Sequence, residues 1–305
     1  MFHEISFPSF SGQDTIHGWI YEPIREIRGI VQLVHGLGEH SRRYLHMILA
    51  MTDAGFVVAC DDHIAHGKTA IENDNWTNWG DRGYTVMVED EHTLHNFVKE
   101  RYPGLPMFFF GHSLGSMITR QYMMRYADDL SGVTICGTMG ALDGPDVVAE
   151  RLEKLVSEGH GHDTDYSFNS LEWMNERIPD ARFGNEWVCG NSYVQRDHRL
   201  DPFNSLTEPN DPQSMLYMQQ MRAEISGLEW AKKVPKELPV YNIAGDQDPV
   251  GNYGEGVYQV SNWLAATGHE VSTKLYPGRR HEIHNYPDLR EEVEQGILAF
   301  MNAHI

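Results

Sequence analysis

The feature that most constrains this 305-residue chain is the pentapeptide Gly111-His112-Ser113-Leu114-Gly115, placed directly after the apolar run Met107–Phe110 and directly before a helical pattern. A strand that turns sharply into a helix needs small residues at the corner, and two flanking glycines leave a serine exposed at the strand end. The setting matters more than the pentapeptide, because a Gly-rich turn alone is common. It predicts a parallel sheet with a reactive serine, Ser113, at its carboxyl edge.

The rest of the chain is consistent with such a sheet. Alternating residues from Glu4 to Glu22 around Ser11-Gly12-Gln13-Asp14 predict a hairpin. Short apolar runs then recur at Gly29–Val34, Phe56–Cys60, Met107–Phe110, Gly132–Cys136, Val240–Ala244 and Val271–Tyr276. Helical patterns fall between them at Arg42–Ala54, Tyr84–Arg101, Leu114–Tyr126, Tyr253–Thr267 and Leu289–Ala303. Runs buried on both faces, alternating with helices, imply a mostly parallel sheet with helices on both sides. The alternation stops between Ala141 and Trp230, where helical pieces such as Val147–Glu158 and Ser170–Arg177 are separated by loops. The expected organisation is a core of residues 1–140 and 231–305 with an inserted helical cap at 141–230. Such a cap would overhang the strand ends where ligands bind.

A serine hydroxyl needs a base to take its proton and an acid to orient that base. In a fold with this elbow the chain order is serine, acid, histidine. Two carboxylates, Asp246 and Asp248, follow the strand at Val240–Ala244, and His281 follows the last strand, with His284 close behind. Order and position favour His281 as the base; on these grounds alone the acid is either Asp246 or Asp248. Backbone N–H groups for a developing oxyanion are expected from Leu114 and from Leu37, in the Gly-rich turn His35-Gly36-Leu37-Gly38.

Several function classes are disfavoured. A net charge of −20 repels nucleic acid and anionic bilayers. No Gly-x-Gly-x-x-Gly and no Walker lysine is present, so no nucleotide cofactor is expected. His160-Gly161-His162-Asp163 reads as a cap loop, and His281-Glu282-Ile283-His284 lacks zinc-helix spacing, so no metal is expected. No run of about 18 apolar residues is present to span a membrane. The start lacks a secretion signal, and the odd set Cys60, Cys136 and Cys189 suits free thiols. A cytoplasmic protein is expected; its oligomeric state is not legible. Trp173, Met174 and Ile178 read either as the cap's own core or as the lining of an acyl pocket.

Taken together the motifs resemble a known family. His35-Gly36-Leu37-Gly38-Glu39-His40-Ser41-Arg42-Arg43-Tyr44 is similar to the HGxGEHSxRY stretch of monoacylglycerol lipase and lysophospholipase-like serine α/β-hydrolases, and Gly111–Gly115 to their nucleophile elbow. Gly245–Val250 resembles their acid loop with the acid at Asp248, and Tyr276–Glu282 their histidine loop. The resemblance implies the α/β-hydrolase fold, no cofactor, and hydrolysis of small-molecule acyl esters such as monoacylglycerols or lysophospholipids through Ser113, Asp248 and His281. Asp62–Lys68 departs from the family's DHRGHGK turn, with Ile64 and Ala65 for Arg and Gly. A peptidase or thioesterase, or a non-catalytic acyl-ligand binding protein, is the competing expectation.

Overall fold

The computed structural model describes residues 1–141, 146–168, 171–205 and 209–305; of Glu172 the backbone alone is described. Strands β1 (Phe2–Pro8) and β2 (Thr15–Tyr21) form the expected hairpin. They are followed by β3 (Gly29–Val34), helix α1 (Leu45–Asp53), β4 (Phe56–Asp62), α2 (Gly67–Asn73), α3 (Val86–Arg101), β5 (Met107–His112), α4 (Leu114–Met123) and β6 (Leu130–Cys136). Between β6 and β7 lie α5 (Val147–Ser157), α6 (Ser192–Leu200), α7 (Pro212–Glu224) and the short α8 (Leu228–Ala231). The chain then returns as β7 (Val240–Gly245), α9 (Glu255–Ala266), β8 (Val271–Tyr276) and α10 (Arg290–Ala303).

The eight strands make one open sheet in the order β1-β2-β4-β3-β5-β6-β7-β8. The β1–β2 and β2–β4 pairs are antiparallel and all others parallel. This is the α/β-hydrolase fold. Alternate residues of each central strand feed separate apolar layers: Ile30 and Val34 of β3 join one, with α3, α4 and α9, while Val31 and Leu33 join the other, with α1 and α10. Burial on both faces is why these strands read as continuous apolar runs.

Three helical expectations need correction. Ser170–Arg177 is not a helix: a 3-10 turn at Glu172–Asn175 is all that forms there, and Ser170 lies outside the described residues. Asn175 turns its side chain to the Trp187 N–H (2.9 Å), and Pro179 disfavours helical backbone at Ile178. Arg42–Ala54 splits into a 3-10 turn, Ser41–Tyr44, and α1, because Asp62 Oδ1 accepts from both the Ser41 N–H (2.9 Å) and hydroxyl (2.7 Å). Tyr253 has φ +56° and Gly254 φ +99°, so α9 starts at Glu255. Helix α7 was not singled out, although Asp211 as N-cap (to the Ser214 N–H, 2.6 Å) followed by Pro212 is a start signal. All three cysteines are buried and unpaired. No helix among the described residues is long and apolar enough to cross a membrane.

Candidate active site

Ser113 stands between β5 and α4 with φ +55° and ψ −119°, a conformation costly for a non-glycine residue. Its N–H donates to the Cys136 carbonyl of β6 (2.9 Å), and its own carbonyl accepts from Ser116 and Met117. The elbow can pack this tightly only with glycine at its corners: a Cβ on Gly115 would run into the Val34 and His35 carbonyls at the end of β3, and one on Gly111 into the Gly115 backbone. The N–H of Leu114, first residue of α4, has no intrahelical partner by position. Leu37 makes no backbone hydrogen bond among the described residues. Leu37, Ser113, Leu114 and His281 line one small pocket of about 50 Å³.

His281 is buried, and its Nδ1 lies 2.9 Å from Asp248 Oδ2. The other Asp248 oxygen accepts the Val250 N–H (2.9 Å), which fixes the carboxylate. Asp246 does not reach His281; its carboxylate takes the Gly278 N–H (2.7 Å) and so ties the acid loop to the histidine loop. Burial disfavours the imidazolium of His281, but the charge and hydrogen bond of Asp248 outweigh it and raise its pKa above the ordinary value. Nε2 has no hydrogen-bond partner. His284 is buried against Tyr44 (ring centroids 4.7 Å, stacked), and burial holds its pKa well below the usual imidazole range.

One functional feature was missed in the sequence. Glu39 Oε1 accepts the Gly36 N–H (2.7 Å) and the Tyr44 hydroxyl (2.5 Å) and lies 3.1 Å from His112 Nδ1. Its other oxygen accepts from Arg43 Nε (3.2 Å), and Arg43 Nη2 reaches both oxygens of Glu282 (3.0 and 2.7 Å). Burial opposes ionisation of Glu39, yet His112 and Arg43 prevail and hold its carboxyl well below the usual range. A buried carboxylate with this many donors joins the Gly36–Leu37 loop, the residue before Ser113 and the residue after His281. The Glu39 of the HGxGEHSxRY-like stretch was the available signal.

Beyond Ser113 the pocket is apolar. Met117, Met139, Leu171, Met174, Met218 and Val250 also line an adjoining cavity of about 320 Å³, edged by Asp146, Arg222 and Gln259. Met174 is buried in this lining, Trp173 edges the larger cavity, and Ile178 packs on the core without lining either. His162 bridges Asp211 (3.0 Å) and Asp81 (2.9 Å) and belongs to neither grouping of metal-ligating side chains found among the described residues.

Residues 25–288 match the family model Hydrolase_4, described as serine aminopeptidase, S33. A carboxyl esterase from Bacillus coagulans, solved with glycerol, is 55% identical, with 99% of this chain and 98% of that chain covered and a TM-score of 0.96. A lipase solved in an open form is 35% identical over 99% of each chain, with a TM-score of 0.92. The monoacylglycerol lipase of Mycolicibacterium smegmatis is 25% identical over 313 residues, covering 99% of this chain and 98% of the relative. With a sheet, an elbow and relatives of this kind, the chain belongs to the Hydrolase_4 (serine aminopeptidase, S33) family and is a serine hydrolase of its monoacylglycerol lipase-like, esterase-bearing branch.

Proposed function

We propose that the protein hydrolyses carboxylic esters of the monoacylglycerol or lysophospholipid type, with Ser113, His281 and Asp248 as its triad. The observation that carries this is the 2.9 Å pairing of His281 Nδ1 with Asp248, which leaves Nε2 unpartnered in a pocket that also holds Ser113. His281 Nε2 takes the Ser113 proton as Oγ attacks the ester carbonyl. The oxyanion forms against the N–H groups of Leu37 and Leu114, and His281 then protonates the departing alcohol. Water, deprotonated by the same histidine, attacks the acyl-enzyme and releases the acid. Asp248 holds the imidazole in the tautomer that keeps Nε2 free to accept.

Residues 141–230 act in this reading as a cap over the core of 1–140 and 231–305. Leu171, Met174, Trp187, Val188, His198 and Met218 come from that span and line the Ser113 pocket. Trp187 and Val188 also accept the His281 and Glu282 N–H groups (3.4 and 2.8 Å). The methionine-rich lining suits an acyl chain.

The family's description raises a second reading, an aminopeptidase, which needs a free anion for the substrate ammonium. Among the described residues, Glu39 and Glu282 are the carboxylates that line the pocket, and Arg43 pairs with both. That leaves neither free, and favours the ester. The test is labelling with a fluorophosphonate probe and peptide mapping, followed by monoacylglycerols, lysophospholipids, p-nitrophenyl esters and aminoacyl p-nitroanilides. Label on Ser113 with ester turnover is expected. Faster anilide cleavage would replace the ester reading with the peptidase, and a folded chain that takes no label would refute the triad.

A further inference from the structure

Outside the Ser113 pocket, the interior holds a second set of chemistry-bearing side chains. Asp61 lies at the end of β4, His63 directly follows that strand, and Glu91 projects from α3; all three are buried. His63 Nδ1 lies 3.2 Å from Asp61 Oδ1 and 3.4 Å from Glu91 Oε1. One ligand atom from each residue falls within 4.8 Å of the other two. Yet His63 Nδ1, both Asp61 oxygens and Glu91 Oε1 make no hydrogen bond. Buried polar atoms are seldom left without partners, and three of these, one from each residue, lie close enough to share one.

The imidazole is turned so that Nδ1 is spare. Its Nε2 lies 3.2 Å from the His35 carbonyl, and its backbone N–H donates to His35 Nε2 (3.0 Å). A ring proton on Nε2 alone turns the Nδ1 lone pair toward two carboxylates, an arrangement relieved by a cation between them or by a proton on Nδ1 or on a carboxylate. Burial acts most strongly on Glu91, followed by Asp61, whose carboxylate also lies within hydrogen-bonding reach of it, Gln32 and Asp90, and no lysine or arginine is among them. A tetrahedral ion with bonds of about 2.0–2.1 Å to nitrogen and oxygen sets its ligand atoms ~3.3–3.4 Å apart, which the His63 distances match. Calcium takes six to eight oxygens at longer range, and magnesium prefers an octahedron rich in water.

We infer that Asp61, His63 and Glu91 form a buried site for a divalent cation of the zinc class. Its charge offsets the two carboxylates, and the imidazole binds in its neutral form. The fourth position is left to water. The outer contacts are those of a ligand set held from behind: Gln32 Nε2 bonds the second Glu91 oxygen and the Glu91 carbonyl (2.8 Å for the latter), and His35 holds His63. His35 and His63 stack at 3.8 Å, and His35 precedes Gly36 and Leu37, so the ion would brace the loop beside Ser113. The expectation of no metal rested on the tracts at His160–Asp163 and His281–His284, which share no residue with this cluster.

The test uses the full chain without a histidine tag, incubated with Zn²⁺ or Co²⁺ and desalted. Mass spectrometry of the metal should find about one ion per chain, with a Tm several degrees above the chelator-treated protein. Co²⁺ should give the intense visible bands of a tetrahedral site. Asp61→Asn/Glu91→Gln should retain no ion and show no metal-dependent Tm shift, while still taking the fluorophosphonate label that reports its fold. Equal retention by that variant would assign the ion elsewhere, to surface histidines or to the buried group His112, Cys136 and His284, and overturn the site, as would wild-type protein that holds no stoichiometric ion. If the variant does not fold, the wild-type Co²⁺ spectrum decides: tetrahedral bands without thiolate charge transfer support the site, and bands with it, which mark the Cys136 group, or weak octahedral bands or none overturn it.

Discussion

The two walls of the Ser113 pocket are built by different physics. On the core side, positions are set by directional bonds: Asp248 on His281, Glu39 on Gly36, Tyr44 and His112, and Arg43 on Glu39 and Glu282. On the side of residues 141–230 the lining side chains are mainly those of Leu171, Met174, Val188 and Met218, apolar groups fitted by shape, while the backbone carbonyls of Trp187 and Val188 tie this wall to the core. Directional, buried charge tolerates little displacement, whereas unbranched thioethers fill whatever shape is offered. In the proposed function, this difference fixes the chemistry on one wall and leaves substrate choice adjustable on the other. Substitutions should therefore split cleanly into those that abolish turnover and those that retune it.

The largest effects belong to the core wall. Ser113→Ala or His281→Ala should lower kcat on the order of 10⁴–10⁶-fold, and Asp248→Asn by about 10⁴-fold, with KM little changed, measured on a p-nitrophenyl ester. Near-wild-type turnover in either of the first two would break the comparison outright. Glu39→Gln should come next, with kcat down ~10–100-fold and KM within a few-fold, because it touches Gly36 and His112 rather than the ester. A change confined to KM would mean that Glu39 contacts substrate.

The pH dependence sharpens the same wall. With His281 as the proposed base, turnover needs its neutral form, and its pKa is raised, so kcat/KM should fall about tenfold per pH unit below that raised value. Asp248→Asn removes the charge that raises it and leaves burial, which lowers it, so the acid limb should move to lower pH. Stability runs the other way. A raised histidine pKa contributes stability that is fully present below the unfolded value, about 6.5, and is lost as pH rises through the folded value. The Tm advantage of wild type over His281→Ala should therefore be larger at pH 5 than at pH 9. An unchanged difference would mean that the Asp248 pairing carries no linked proton.

How far the sequence foretold this depends on the range of each interaction. Strand β3 was legible to the residue, and the elbow likewise, because burial on both faces and a Gly-x-Ser-x-Gly corner are local patterns. The acid stood between Asp246 and Asp248 until the family resemblance favoured the second, since only the fold brings a residue 33 positions away against His281. The role of Glu39 was illegible for the same reason: His112 is 73 positions from it, and Arg43 meets Glu282 across 239. The expectation of a helix at Ser170–Arg177 failed because the apolar spacing there is helical while Asn175 and Pro179 act against a helix.

Effects on the other wall should be smaller. Met174→Leu/Met218→Leu replaces two flexible side chains with branched ones of similar volume, a swap that usually costs under ~1.5 kcal/mol. The profile of activity against acyl length should narrow, with KM for the longest esters rising by less than about tenfold and p-nitrophenyl acetate turnover unchanged. A loss of turnover on acetate would show that this wall helps to hold the triad, and the division between the walls would fail.

The smallest effect is expected at Ala65, where the family's DHRGHGK-like turn has glycine. Ala65 is buried with φ +64°, so it carries left-handed strain of about 1–2 kcal/mol. Ala65→Gly removes that strain, but it also removes a buried methyl worth ~0.8 kcal/mol and adds unfolded-state freedom worth about 0.4–1 kcal/mol. The terms nearly cancel, and Tm should stay within ~4 °C of wild type with kcat unaltered. A loss well beyond that would show that the methyl packs better than its area suggests. A fall in kcat at unchanged Tm would show instead that the turn between His63 and His66 transmits to the His35 loop, and the directional network of the core wall would have to be extended to include it.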